Sequence, residues 1–333
     1  MNLLPVFDMA EPVTAEQAVA LKCVHPLARY LAGGTDLIPN LRRGLGAPDV
    51  LISLAKIPEF RQFEASGDSL VIGAGVNIAE LATSDLLRKS YPAISMAAAS
   101  IAGPAHRGMA TVGGNLCLDT RCVFYNQSKW WRAANNFCLK QDGDTCHVVK
   151  KGNKCVAAYS GDLAPALMVL GAEVEIASTA GRRRRSLAGI FREDGQAWLD
   201  LEPADLVVAV HIPARPGVRS GYFKSRTRQS MDFPLAGVAA AMNCEGVNIL
   251  SLAVAITGTN SRPVQLEGLE ALTGGPLSDR LLDELGKNIS RTIQPMRTTL
   301  APSLYRRHMA GVLAKRLVTQ LYQDGACNQR SKP

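Results

Sequence analysis

Five of the chain's eight cysteines lie between positions 117 and 155, in the stretch CLDTRCVFYNQSKWWRAANNFCLKQDGDTCHVVKKGNKC. Thiolates are soft ligands, and four of them converging from one long loop can hold either a tetrahedral zinc ion or an iron–sulfur cluster. Four residues separate Cys117 from Cys122, fifteen separate Cys122 from Cys138, seven separate Cys138 from Cys146 and eight separate Cys146 from Cys155. None of these intervals is the C-x-x-C of a zinc ribbon or a thioredoxin site, so spacing leaves zinc and iron–sulfur both open. The start, MNLLPVFDMAEPVTAEQ, is acidic where a secretory leader is basic, and no apolar run approaches the roughly 20 residues that span a bilayer. A cytoplasmic location is expected, where clustered cysteines favour metal over disulfides.

A second chemistry is written in glycine. LAGGTDL at 31–37 and TVGGNL at 111–116 each place paired glycines at the start of a helix. Glycine lets the backbone turn sharply and approach a ligand closely, so that successive amides can face phosphate oxygens. Two such loops suggest one dinucleotide held from both sides, whereas the first alone reads equally well as a tight βα turn with Asp36 capping a helix. No G-x-G-x-x-G follows a strand, which argues against a Rossmann site and for a flavin fold of another kind.

These loops need strands and helices to position them. TAEQAVALKC reads as helix, ARYLAGGTDLIPNLRRG as strand turning into helix, and SLVIGAGVNIAELATS as strand then helix again. SGDLAPALMVLGAEVEIAS is an apolar helix leading into a strand, so the polar, aromatic segment before it has the character of an insertion ordered by clustered ligands. Beyond DLVVAVHIPA a hairpin is expected around Cys244, Glu245 and Gly246. In the last helix Leu304, Met309, Val312, Leu313, Leu317 and Leu321 make a core-facing stripe. The class expected is α+β, with a first domain over 1–213 that contains an insertion at 117–157, a second over 214–325, and a frayed tail at 326–333.

With 333 residues, 47% apolar and 20% charged, the chain has material for more than one core and is not of the disordered class. A net charge of +8 suits an acidic partner, a phosphorylated ligand or nucleic acid. The sharpest basic run, RRRR at 182–185, reads as a solvated strand-to-strand turn, and with no aromatic or recognised binding motif beside it nucleic acid is not expected as a partner.

LAGGTDLIPNLRRG, ATVGGNL, SGDLAPALM and FKSRTRQSMDFPLAGVAAAM together resemble the FAD-binding medium subunits of the xanthine oxidase and carbon monoxide dehydrogenase family of molybdenum hydroxylases, over nearly the whole chain. The resemblance implies a PCMH-type FAD-binding domain of two subdomains, then a C-terminal α+β domain like that of CO dehydrogenase flavoproteins, with FAD held noncovalently. It implies that Arg29, Tyr30, Leu31, Ala32, Gly33, Gly34, Thr35 and Asp36, with Thr111, Val112, Gly113, Gly114 and Asn115, cradle the pyrophosphate. Asp162 would contact the sugar portion, Ile101 would lie along the cofactor and Lys224 would approach the isoalloxazine. Taken alone, Asp162 reads as a helix cap, and Lys224 reads equally well as a solvated strand residue. His106 stands where family members often carry isoleucine before the arginine, here Arg107.

Ordinary medium subunits pass almost directly from the GGN loop to the segment that here reads SGDLAPALM. The insertion between them resembles that of the 4-hydroxybenzoyl-CoA reductase branch of the family, whose β subunits carry an additional [4Fe-4S] cluster. By that likeness Cys122, Cys138, Cys146 and Cys155 are ligands. Cys117, beside the flavin loop, reads as a small apolar residue, with replacement of Cys122 as the alternative; His147 reads as exposed rather than coordinating, and Trp130, Trp131 and Tyr125 as a cover over the cluster. Cys23, Cys244 and Cys327 lie in unrelated contexts. The likeness further implies an electron-transfer subunit with no catalytic residue of its own. Its partners would be a large molybdenum-cofactor subunit and a small [2Fe-2S] subunit in a dimer of heterotrimers, with reduced ferredoxin as donor. The reaction would be reductive dehydroxylation of 4-hydroxybenzoyl-CoA to benzoyl-CoA in anaerobic aromatic degradation. Two other readings stand beside it: the FAD subunit of an oxidising molybdenum hydroxylase for another aromatic or heterocycle, and a zinc-stabilised flavoprotein or nucleic-acid-binding module.

Overall fold

The structure, a computed structural model, describes residues 4–149, 152–229, 231–297 and 301–329. The chain lays down three sheets in succession. β1 (Asp8–Ala10), α1 (Ala15–Val24), β2 (Arg29–Leu31), α2 (Leu37–Arg42) and β3 (Val50–Ser53) make a three-stranded parallel sheet in the order β1-β3-β2. Thr14 opens α1 by accepting the Gln17 amide on its hydroxyl, and the glycine pair ends β2.

β4 (Phe63–Ser66) and β5 (Ser69–Gly73) lead into a run of short helices: α3 (Ile78–Thr83), α4 (Asp85–Ser90), α5 (Pro92–Ser100), α6 (Pro104–Met109) and α7 (Val112–Leu116). The insertion contributes α8 (Lys129–Ala134), and α9 (Leu163–Met168) follows. β6 (Glu173–Ser178), β7 (Gly181–Ser186) and β8 (Leu206–Pro213) then join β4 and β5 in an antiparallel sheet ordered β4-β5-β8-β6-β7. β8 sits at its centre, which explains why LVVAVHIP is an almost unbroken apolar run.

β9 (Arg219–Ser225), β10 (Ala236–Glu245), β11 (Asn248–Thr257) and β12 (Val264–Gln265) form the third sheet, antiparallel and ordered β12-β11-β10-β9, packed by α10 (Asp279–Thr292) and α11 (Ser303–Gln329). The β10–β11 hairpin turns at Gly246, φ 57°, with a bulge between Asn243 and Cys244. Along β10 the two-residue period ties two cores together. Val238, Ala240 and Met242 pack with α10 and α11, while Ala239 and Ala241 belong to the core of the first two sheets. The architecture is α+β throughout, and among the described residues no helix is long and apolar enough to cross a membrane.

Two local expectations are corrected. The RRRR run is not a turn: it lies inside β7, paired with β6, and the chain reverses just before it at Gly181, φ 103°. Arg182 meets Glu16, Glu59 and Glu175 at 2.8, 2.7 and 3.0 Å, while Arg183 pairs with Asp205 and Arg185 with Asp200. The most basic segment is thus internally neutralised. In α11 the buried stripe is Ala310, Leu313, Ala314, Leu317, Val318 and Leu321, whereas Leu304 is 74% exposed and Met309 and Val312 are half-buried. The face is set by the alanines, which let the helix lie close to the sheet. Residues 330–333 of the expected tail lie outside the described residues, and α11 runs to Gln329.

Candidate functional site

A cavity of about 970 Å³ is lined by residues of all three sheets and of the insertion, near the top of the roughly 300–1,000 Å³ range of small-molecule sites. Arg29, Tyr30, Ala32, Gly33, Gly34, Thr35 and Asp36 line it from the β2–α2 turn, and Thr111, Gly113, Gly114 and Asn115 from the start of α7. Ile101, Asp162 and Lys224 complete the set. Leu31 and Val112 do not line it, because the residues beside them face the cavity and they face the other way. Val112 is 1% exposed in the core, and Leu31 lies beneath the turn with its Cδ1 3.3 Å from where a Gly34 Cβ would sit.

The two glycine loops touch each other and play different parts. A Cβ on Gly33 would fall 1.8 Å from the Met109 carbonyl oxygen, and Gly34 has φ +69°, a conformation that L side chains rarely adopt. Among the described residues, the amides of Gly33, Gly34, Thr35 and Asp36 meet no protein acceptor. In the second loop the amides are already used: Val112 donates to Val76, Gly113 to Ala74 at 2.8 Å, Gly114 to the Thr111 hydroxyl and Asn115 to the Thr111 carbonyl. Only the first loop therefore presents a row of free donors, the chemistry a phosphate needs. Beside the loops, Arg107 donates to the carbonyls of Ile101 and Ala102 at 2.8 and 3.3 Å, holding Ala102 at φ 39° on the cavity wall.

Asp162 and Lys224 form a buried ion pair at 3.0 Å, each side chain 4% exposed. Asp162 precedes α9 but makes no capping bond; its other oxygen accepts from the Tyr222 hydroxyl at 2.5 Å. Burial pushes its carboxyl upward, against the pull of Lys224 and Tyr222. Lys224 also donates to the Ser100 carbonyl at 3.2 Å, so it is not a solvated strand residue. Asp36 does not cap α2 either: it pairs with Arg121 and accepts from Asn40 at 3.1 Å. Burial raises its carboxyl while Arg121 opposes that shift.

The second feature is a small pocket ringed by Cys122, Cys138, Cys146 and Cys155 together with Phe124 and His147. The four cysteines line one pocket, yet among the described residues no group of three or more His, Cys, Asp or Glu is drawn together as a site for a metal ion. The Tyr125 amide donates to Cys122 Sγ at 3.2 Å. Burial pushes Cys155 up to about 11 and raises Cys122 as well. Cys117 belongs elsewhere: it lines the large cavity, packs on the core, and is pushed by burial to about 12. Cys23 is exposed and Cys244 lies on β10.

The expected aromatic shield is corrected. Trp130 is 78% exposed and Tyr125 lines the large cavity; the cysteine pocket is covered by Phe124, whose ring stacks on exposed His147 at 4.2 Å and meets Trp131 edge-on. The insertion bends sharply around this pocket, with Asn136, Phe137 and Asp142 all at positive φ, a costly conformation outside glycine. Fully buried Arg132 pins it to the end of α2 through the carbonyls of Arg43 and Gly44.

Two residues that sequence reasoning missed join these features. Lys140 lines both the cavity and the cysteine pocket. Its ammonium, 4% exposed, donates to Asp119 at 2.9 Å, Thr120 at 2.7 Å and the Gly195 carbonyl at 2.6 Å, between the rings of Tyr125 and Trp198. Arg121, the residue before Cys122, lines the cavity. Neither carries a local signal, because each is defined by contacts across long sequence separations.

Fold, cavity and donor loop define a flavoprotein of non-Rossmann type, and comparison with known proteins says which. Residues 5–215 match the family model described as FAD binding domain in molybdopterin dehydrogenase, and residues 221–321 match the CO dehydrogenase flavoprotein C-terminal domain. The chain is 30% identical to the aldehyde oxidoreductase FAD-binding subunit PaoB of Escherichia coli, covering 90% of this chain and 95% of that one. It is 28% identical to the carbon monoxide dehydrogenase medium chain of Afipia carboxidovorans, over 94% and 95% of the two chains. The solved structure of reconstituted CO dehydrogenase from Oligotropha carboxidovorans superposes with a TM-score of 0.80 at 25% identity, covering 96% of this chain and 99% of that one. This chain belongs to the FAD-binding subunits of the xanthine oxidase and carbon monoxide dehydrogenase family, and is an oxidoreductase subunit.

Proposed function

We propose that the chain is the medium subunit of a cytoplasmic molybdenum enzyme, that it binds FAD in the large cavity, and that its insertion holds a [4Fe-4S] cluster in electronic series with the flavin. The observation that carries this reading is the juxtaposition at Lys140, one side chain that walls both the cavity and a pocket ringed by four cysteines. FAD supplies a carrier of one or two electrons and a cluster a carrier of one. The protein's own part is positional. The free amides of Gly33, Gly34, Thr35 and Asp36 would hold the pyrophosphate, Ile101 would flank the ring system, and the Asp162–Lys224 pair would place a fixed charge pair on the cavity wall. Cys122, Cys138, Cys146 and Cys155 offer four soft thiolates along one pocket, the ligand set a cluster uses and one that zinc also accepts. The Tyr125 amide on Cys122 and the Phe124 ring would adjust its potential by hydrogen bonding and exclusion of water.

The arrangement suits a one-electron, low-potential donor, and the finer reading follows: a 4-hydroxybenzoyl-CoA reductase type of complex, in which reduced ferredoxin feeds this chain. A large molybdenum-cofactor subunit, linked through a small [2Fe-2S] subunit, would dehydroxylate the acyl-CoA, in a dimer of heterotrimers. A second reading is favoured by the matched relatives, whose names are those of aldehyde, xanthine and carbon monoxide oxidoreductases. In it the same chain carries electrons away from an oxidising molybdenum hydroxylase. Anaerobic purification of the tagged complex, with iron, zinc, molybdenum and flavin analysis, separates these outcomes. One FAD per chain with cluster iron beyond that of the [2Fe-2S] partner, and turnover driven by reduced ferredoxin, is expected. Zinc in place of that iron overturns the cluster. Turnover with substrate oxidation only, and none with ferredoxin, selects the second reading.

A further inference from the structure

The insertion does more than carry cysteines. Its neck is closed by a two-way backbone bridge, Arg121 donating to the Ala158 carbonyl at 2.9 Å and Ala158 to that of Arg121 at 2.8 Å. Extended chain sends neighbouring side chains to opposite sides. Cys122 accordingly faces the cysteine pocket, and Arg121 faces the large cavity. The Arg121 side chain is 8% exposed and its Nη2 lies on the Asp36 carboxylate, at the end of the row of free amides. Its Nε and Nη1 are buried and have no hydrogen-bond partner. A guanidinium presents its donors as a planar fork, and leaving two of them buried and unpaired is costly unless a ligand oxygen completes them. The amides of 33–36 and this half-used guanidinium therefore face one anion. FAD carries its permanent anionic charge in the pyrophosphate.

We propose that Arg121 is an FAD-binding residue supplied by the insertion, donating through Nε and Nη1 to the pyrophosphate while its Nη2 neutralises Asp36. This rests on the assignment of the cavity to FAD. It makes flavin retention in this chain depend on a segment that ordinary medium subunits lack, and it ties that segment's neck to the cofactor one residue before a proposed cluster ligand.

The test is a binding titration of the full chain, deflavinated anaerobically, with FAD and with riboflavin, which lacks both phosphates. Arg121→Met should weaken FAD binding about tenfold to a hundredfold, the range for losing hydrogen bonds to a charged group, and leave riboflavin binding unchanged. Because that variant strands the Asp36 carboxylate, the double variant Arg121→Met with Asp36→Asn is measured beside it, and the same FAD-selective loss is expected there. Arg121→Lys, which keeps charge but not the fork, should fall between. The proposal is overturned by FAD affinity equal to wild type in Arg121→Met, by equal losses for FAD and riboflavin, or by recovery of FAD affinity in the double variant. A wild-type chain that takes up riboflavin and FAD equally well overturns the pyrophosphate contact while leaving the cavity a flavin site; one that takes up neither overturns the FAD assignment itself.

Discussion

The large cavity and the cysteine pocket share a wall at Lys140 and are built in opposite ways. The cavity is framed by regular elements: β2, β8 and β9 contribute side chains to it, and the two glycine loops that meet over it are each anchored by a strand or a buried residue such as Val112. The cysteine pocket has one six-residue helix nearby, three non-glycine residues at positive φ, and a backbone to which the buried cations Arg132 and Lys140 are bound. A site made from a core persists without its ligand. One made from a bent loop around sulfur depends on what fills it.

The largest expected effects separate the two outright. Cys138→Ser or Cys146→Ser should remove the insertion's iron almost completely, since a neutral hydroxyl is a poor ligand in place of thiolate, while FAD content stays at the wild-type level. Gly33→Val should do the reverse. Its Cβ would sit 1.8 Å from the Met109 carbonyl, so the two loops must part and the FAD cavity opens, while the cysteines keep their surroundings. Iron and acid-released flavin, measured on the same anaerobic samples, decide both. If either substitution removed both cofactors in equal proportion, the contrast between the sites would collapse.

Lys140→Met asks how much the two sites share. Removing one member of a buried ion pair costs roughly 3–5 kcal/mol, and here the change also leaves Thr120 and the Gly195 carbonyl without their cation. A loss of about 3 kcal/mol in unfolding free energy is expected, read by denaturant titration. Withdrawing a fixed positive charge from a buried wall should also make any electron carrier on either side harder to reduce, so both midpoint potentials should move negative, by spectroelectrochemical titration. A shift on one side alone would show that Lys140 belongs to one site and only touches the other.

What the sequence revealed follows the same division. LAGGTDL and TVGGNL were legible because glycine is a backbone requirement that any chain must spell locally. SLVIGAG was legible as a strand because a short apolar run closed by glycine leaves a pattern. The choice of Cys122, Cys138, Cys146 and Cys155 came from the resemblance, and the four do line one pocket, but their surroundings were not legible: Phe124 covers them where Trp130, Trp131 and Tyr125 were expected, because a bent loop has no period to read. Leu31 and Val112 were placed in the cradle as members of whole segments carried over by the resemblance, but Val112 packs in the core and Leu31 lies beneath the turn. Arg121, Lys140 and the pairing of Asp162 with Lys224 rest on partners far along the chain, and no local motif spells those.

The smallest effect concerns β7, remote in kind from both sites, and tests whether the frame is independent of the insertion. Hydrogen bonding from Arg182 holds Glu16 below its ordinary range. Burial alone would raise Glu175, but His211 and Arg182 outweigh it and the carboxyl is also lowered. A carboxylate with a lowered folded pKa stabilises the fold above its unfolded value and loses that contribution as pH falls through the folded one. Wild type should therefore weaken progressively below pH 4.5, the ordinary value for both groups. Arg182 is 37% exposed and Glu16 60%, so solvent screening limits the contribution of the set to about 1 kcal/mol. Arg182→Ala should lower stability at pH 7 by about that much and flatten the acid limb, because the carboxylates return toward their unfolded values. Cys138→Ser should leave the slope of that limb unchanged, since among the described residues the groups that shift Glu16 and Glu175 all lie outside the insertion. Urea unfolding at pH 3.5, 4.5 and 7 of the three proteins reads both statements. A flattened limb in the serine variant would mean that the insertion's contents reach the second sheet, and that the two regions are not built as separately as their backbones suggest.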